Sequence, residues 1–261
     1  MKMKVGAYQF AVTGDIERNL KSMERGILCA VRAGVRLLAF PECALTGYPP
    51  RDLACAADAD LEQAKAACAR LQELAETYEM HILAGSITEQ SGCRYNSVLL
   101  FSGERAGSDS GALYHKRALW GWDRDNFAPG AESGILEIEG WRLGVRICFE
   151  VRFPEFFREL YRAQTDLNLL LFYDVCDQEN EDRYEMIRSH IRTRAVENVT
   201  HTLSVNTISP YQTAPTGLYD RSGRCLTELT RGEEGLLVYE LEKRPLDFGE
   251  QGRKEISDQL C

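Results

Sequence analysis

The sequence predicts an α/β fold with more strand than a simple doubly wound sheet requires. Three observations carry this. Apolar strand-like runs alternate with amphipathic helical stretches in the first half of the chain, and the second half repeats the alternation. The chain then closes on four successive strand-like runs, HTLSVN, TGLYD, RCLTEL and GLLVYELE.

Residues 4–10 form a short apolar strand. Asp15 stands at an N-cap position ahead of a helix in which Ile16, Leu20, Met23, Ile27 and Val31 recur at helical spacing, ending near Gly34. VRLLAFP is a buried strand stopped by Pro41, and ECALTGYPPRDL is a loop broken by Gly47 and Pro49-Pro50. Residues 59–78 carry Leu and Ala at helical spacing; HILAGSITE and YNSVLLF are strands. ILEIEGWRLGVRICF is a hairpin turning at Glu139-Gly140, with alternation in its first arm. A helix begins on Pro154 and runs to Arg162. LNLLLF is apolar throughout, as a strand buried on both faces is, and residues 180–198 form a charged helix. No linker, repeat or low-complexity segment divides residues 1–261, so one domain is expected, with the polar residues 245–261 as an extended tail.

Composition excludes several classes. Apolar residues make up 44% and charged residues 27%, which suits a packed domain and not a disordered chain. With 31 Lys and Arg against 40 Asp and Glu, a net charge of −9, neither a nucleic-acid nor an anionic-membrane surface is expected. No run approaches the roughly 20 apolar residues of a membrane span, and the N-terminus lacks the apolar core of a signal peptide.

Cysteine is abundant: Cys29, Cys43, Cys55, Cys68, Cys93, Cys148, Cys176, Cys225 and Cys261. The nine are odd in number, and no two are closer than twelve positions, so neither a zinc ribbon nor a CxxC redox pair is present. A cytoplasmic protein with reduced thiols is expected.

Three segments combine a reactive side chain with a sharp local context. Glu42 directly follows the carboxyl end of a buried strand, the edge at which ligands bind in open α/β sheets. Lys116 follows a short apolar segment and precedes Trp120 and Trp122, so it suits a desolvated cation facing a developing oxyanion. Cys148 ends an apolar strand just before a Pro-initiated helix, where a strained turn and nearby cations favour a thiolate. Singly, each has an ordinary reading: a solvated loop carboxylate, a surface lysine lying on an aromatic ring, a core cysteine.

Together, and in this order, the segments resemble the nitrilase (carbon–nitrogen hydrolase) superfamily. FPECALTGY resembles its glutamate segment, YHKRALWGWDRDNFAPG its lysine segment with the downstream Phe-x-Pro-Gly, and ICFEVRFPE its nucleophile segment. GDIERNL, YNSVLLF, RTRAVENV and Asn206 are weaker echoes, and the likeness covers about residues 4–241. It implies a four-layer α–β–β–α sandwich that pairs as a homodimer or larger homo-oligomer, with the Pro154 helix and the C-terminal tail as interface elements. It further implies a cysteine-dependent amidase that releases ammonia from a small carboxamide through a thioester, with no metal or cofactor. Glu42 is the implied base, Cys148 the nucleophile, and Lys116 with the backbone N–H of Phe149 the oxyanion hole. Tyr48, Trp120, Phe149 and Tyr173 match pocket-lining positions, with plain core aromatics as the other reading.

The departures from the family pattern are specific. Asp123 stands where many members carry a second glutamate, and Asp125 is nearby but offset; one methylene shorter, Asp123 must approach closer or act through water. Ala118 replaces a histidine, Glu150 an aspartate and Thr216 a serine. Arg152 with Glu155, and Arg194 with Glu197, match buried structural ion pairs. Asp174 suits either a cationic substrate group or a strand end. His115 points away from its neighbour Lys116, and Cys43, beside Glu42, is a candidate for oxidation. The eight cysteines other than Cys148 are assigned to packing. An N-carbamoyl amine or amino-acid hydrolase uses the same machinery on a ureido carbon. A catalytically weak ligand-binding relative is the alternative that Asp123 motivates.

Overall fold

The computed structural model describes residues 1–103 and 112–260. In chain order the elements are β1 (Lys2–Gln9), α1 (Ile16–Arg32), β2 (Leu37–Ala39), α2 (Leu61–Thr77), β3 (His81–Gln90), β4 (Cys93–Ser102) and β5 (Ala112–His115). Then come α3 (Trp122–Asn126), β6 (Ile135–Ile138), β7 (Trp141–Ile147), α4 (Pro154–Arg162), β8 (Leu167–Phe172), β9 (Val175–Cys176) and α5 (Glu181–Glu197). The last are β10 (His201–Asn206), β11 (Tyr211–Gln212), β12 (Gly217–Tyr219), β13 (Cys225–Glu228), β14 (Gly235–Glu242) and α6 (Phe248–Leu260).

Two six-stranded sheets form, in the orders β14-β1-β2-β3-β4-β5 and β13-β12-β10-β8-β7-β6. Each has a parallel centre, β1-β2-β3 in one and β7-β8-β10 in the other, flanked by antiparallel strands. The sheets share a core: Val5, Ala7, Leu37, Leu83 and Val98 of the first pack with Leu143, Val145, Leu169, Leu171 and Val205 of the second. The outer face of the first sheet packs under α1 and α2, through Phe40 and Ile82 against Met23, Ile27 and Leu71. The outer face of the second packs under α4 and α5, through Leu170 and Phe172 against Phe157, Leu160, Ile187 and Ile191. The result is a four-layer α–β–β–α sandwich.

Local sequence explains these elements. Asp15 caps α1 by accepting from the Arg18 amide, and Gly34, at φ +70°, carries the chain out of the helix. Glu139 and Gly140, at φ 48° and 71°, make the two-residue β6–β7 turn, a geometry that needs positive φ at both positions. LNLLLF is buried at every residue because it lies between the shared core and the α4–α5 layer.

The C-terminal expectation is corrected. Residues 248–260 form a helix, not an extended tail. Asp247 accepts from the Glu250 amide at 2.8 Å and Glu250 accepts from the Asp247 amide at 3.0 Å, a reciprocal cap that Arg244 reinforces through Glu250. The helix rests on α4, where the Tyr161 hydroxyl donates to the Lys254 carbonyl and to Asp258. Among the described residues, no helix is long and apolar enough to cross a membrane.

The thiols also depart from expectation. Cys43 is buried, whereas Cys29, Cys93 and Cys225 are exposed and Cys55, Cys68 and Cys176 are half-buried, so a common packing role fails. Cys261 lies outside the described residues.

Candidate active site

Glu42, Cys148 and Tyr173 follow the carboxyl ends of the parallel strands β2, β7 and β8, and Lys116 directly follows β5. Lys116, Cys148 and Tyr173 line one cavity of about 440 Å³, together with Tyr48, Trp120, Asp123 and Phe149. Glu42 is buried and is joined to the cavity lining through Lys116. Its Oε1 accepts from Lys116 Nζ at 2.8 Å and from Asn96 Nδ2 at 2.7 Å, and its Oε2 accepts from the Tyr173 amide at 2.7 Å.

The chain makes close turns to put these groups there. Cys43 and Cys148 both have positive φ, 48° and 44°, strained values for side-chain-bearing residues. Gly85 of β3 lies against the Glu42 turn, where a Cβ would stand 2.3 Å from the Cys43 nitrogen. Gly130, the glycine of the Phe-x-Pro-Gly, donates to the Lys116 carbonyl at 3.0 Å, and a Cβ there would stand 2.3 Å from the His115 carbonyl oxygen.

Glu150 ties the lysine segment to the cysteine turn. Its buried carboxylate accepts from the Ile147 amide at 2.7 Å, the Arg117 amide at 2.8 Å and the Tyr114 hydroxyl at 2.7 Å. The segment carrying Lys116 and the turn carrying Cys148 are therefore fastened to one anion. Neither Glu150 in this role nor Asn96 was identified from sequence. Asn96 lies within the YNSVLLF echo, but its reach to Glu42 crosses from β4 to the end of β2.

Asp123 reaches Lys116 directly, at 2.8 Å, so its shorter side chain needs no bridging water. Its other oxygen accepts from the Tyr48 hydroxyl at 2.7 Å, and that hydroxyl accepts from Trp122 Nε1 at 3.1 Å. This removes the observation that motivated the weak ligand-binding alternative. Asp125 is exposed on α3 and takes no part. Tyr48 stacks on Tyr173 at 4.9 Å, and Trp120 stands at the cavity rim, 66% exposed.

Electrostatics follow from burial. Loss of water pushes the Glu42 carboxyl above its ordinary range; Lys116 opposes this, and the charge of Asp123 adds to it. Burial also pulls down on the Lys116 ammonium, but Glu42 and Asp123 outweigh it and hold the lysine charged. The Cys148 thiol is pushed well above its usual value, by burial first and then by Glu42, with only Lys116 opposing. The expectation of a thiolate-favouring turn is not supported: burial and the neighbouring carboxylate favour the thiol form, which calls for a base. Cys43 is pushed up by the same two causes and is fully buried, which argues against the expected susceptibility to oxidation.

Other expectations divide. His115 faces away from the cavity, with Nδ1 2.7 Å from the Ser97 hydroxyl and its ring stacked on Tyr95. Arg194 pairs with Glu197 at 2.7 Å. Arg152 and Glu155 make no such pair: Glu155 is exposed in the first turn of α4, and Arg152 turns into the cavity wall. Both Asp174 oxygens accept from Arg183 at 2.8 Å, which leaves the aspartate committed to a protein cation. Asn206 fixes the same corner, accepting from the Asp174 amide and donating to the Asp174 carbonyl; Thr216 in turn accepts from the Asn206 amide.

A buried carboxylate bonded to an ammonium that lines one cavity with a thiol suits base-assisted attack on a polarised carbon. Known proteins similar to this chain agree in kind. A structure of an amidase from Nesterenkonia sp. superposes with a TM-score of 0.78 at 25% identity, covering 99% of this chain and 96% of that one. The deaminated glutathione amidase of Synechocystis is 27% identical over 76% of this chain and 75% of its own length. Hydrolase Rv0480c of Mycobacterium tuberculosis is 26% identical over 63% of this chain, a match that spans only 59% of that protein. The family model described as carbon-nitrogen hydrolase matches residues 4–244, and with that extent the chain belongs to the carbon–nitrogen hydrolase family, within the nitrilase superfamily.

Proposed function

We propose that this protein is a cysteine-dependent hydrolase of non-peptide C–N bonds, an amidase that releases ammonia from a small carboxamide. The observation that carries this reading is the buried Glu42 carboxylate held 2.8 Å from Lys116, which lines one cavity with Cys148.

The steps follow from the groups present. Glu42 takes the thiol proton as Cys148 Sγ attacks the amide carbon, and the carbonyl π pair moves onto oxygen. Lys116 and the Phe149 backbone N–H are the groups assigned to stabilise that oxyanion. The oxyanion collapses, the C–N bond breaks, and Glu42 returns the proton to nitrogen, so ammonia leaves and a thioester remains. Water then gives its proton to Glu42 and attacks the thioester. The second tetrahedral species expels Cys148, which is reprotonated by Glu42 as the carboxylic acid departs. A carboxyl whose affinity for protons is raised by burial suits this alternation between base and acid.

Ammonia release from a panel of small aliphatic amides tests the reading, with Cys148→Ala and Glu42→Gln as controls. Full activity in both variants would overturn it. Carbon dioxide appearing with ammonia from ureido compounds would instead assign an N-carbamoyl hydrolase.

A further inference from the structure

Four cationic side chains line the cavity: Arg51, Lys116, Arg152 and Arg183. Three are matched by carboxylates. Lys116 lies between Glu42 and Asp123, Arg183 is held by both oxygens of Asp174, and Arg51 pairs with Asp177. Arg152 has no carboxylate partner among the described residues. It is half-buried, its guanidinium lies 5.8 Å from the centre of the Phe149 ring, and it faces the same space as Cys148.

Two further observations give this cation a direction. The acidic residues of the lining, Asp123 and Asp174, are already engaged, so among the described residues the cavity presents an unmatched positive charge and no unmatched negative one. Cys148 and Arg152 are the first and last residues of one short 3₁₀ turn. The nucleophile and the cation therefore come from one turn and line one cavity. A substrate held at Cys148 thus shares its cavity with the Arg152 guanidinium.

We propose that the substrate is an amide whose far end carries a carboxylate, bound by Arg152. A planar guanidinium offers two parallel N–H donors that match the two carboxylate oxygens, and partial burial strengthens the pair. This inference rests on the amidase reading, and of the two readings of Asp174 it sets aside the one that gives it a cationic substrate group.

The test compares monoamides of four- and five-carbon dicarboxylic acids with butyramide and valeramide, their neutral counterparts. Wild-type kcat/KM is expected to favour the anionic amides by roughly tenfold or more, the scale of a hydrogen-bonded charge pair. Arg152→Gln is expected to collapse that ratio, and Arg152→Lys to leave it intermediate. In the Cys148→Ala background, which binds without turnover, calorimetry is expected to show the anionic amides binding more tightly, with affinity falling as salt rises. Equal or better use of neutral amides, or a preference that survives Arg152→Gln, overturns the subsite while leaving the amidase reading intact. Arg152-dependent binding of the anionic amides with no hydrolysis of any amide retains the subsite and overturns the amidase reading.

Discussion

Lys116 Nζ lies 2.8 Å from Asp123 Oδ2, in a pocket where both side chains are almost wholly buried. With Glu42 at the same distance on its other side, the ammonium is clamped between two carboxylates. A lysine held this way does not reorganise as charge develops on a bound carbonyl, which is where its value lies. Lys116→Ala is expected to lower kcat by roughly 10²–10³-fold, the cost of one oxyanion donor. Asp123→Ala is expected to lower kcat in the same direction. Because Asp123 already touches the lysine, Asp123→Glu is expected to bring no gain; a gain would show that the shorter side chain is a defect.

The pH profile should carry the signature of the buried base. Activity needs Glu42 deprotonated, and burial raises its affinity for the proton, so the acid limb of kcat/KM is expected above the ordinary carboxylate range. Asp123 contributes to that rise. Asp123→Asn, which deletes the repelling charge, is therefore expected to move the acid limb to lower pH while reducing the rate. A limb that stays fixed, or moves upward, would contradict the assignment of Glu42 as the titrating group.

Glu150 is a positioning residue with a structural consequence. Removing its carboxylate strands the Ile147 and Arg117 amides and the Tyr114 hydroxyl in a buried site. Glu150→Ala is expected to cost about 3 kcal/mol of stability in denaturant titration, since each unmet buried donor costs about 1–3 kcal/mol before relaxation. Glu150→Gln keeps acceptor capacity and is expected to lose less. Equal stability of the two variants with wild type would remove the proposed tie.

Thiol labelling should sort the cysteines by exposure. Iodoacetamide is expected to modify Cys29, Cys93 and Cys225 without loss of amide hydrolysis, and to leave Cys43 unmodified in the folded protein. Loss of activity is expected to track modification of Cys148, as read by peptide mass mapping.

What was legible in the sequence was whatever a single segment encodes. Asp15, Gly34 and the Glu139-Gly140 turn announce themselves, because caps and hairpin turns depend on neighbours a few residues apart. Glu42, Lys116 and Cys148 stood out because each ends a strand and the segments resemble a known family. Asn96 and Glu150 did not, because their partners come from other strands and only the folded sheet brings them together. Arg152 differs for a related reason: the resemblance implied a structural ion pair with Glu155, but Glu155 is exposed on α4 while Arg152 lines the cavity. The last helix is a different kind of miss. Asp247 and Glu250 form a legible capping box, overlooked because the segment reads as polar and has little apolar periodicity.

The central claim is that Cys148 carries the reaction, and ammonia release by Cys148→Ala tests it most directly. On an amide that the wild-type protein hydrolyses, the variant is expected to fall to the uncatalysed background while retaining its fold by circular dichroism. Ammonia release at a rate comparable to wild type would contradict the account.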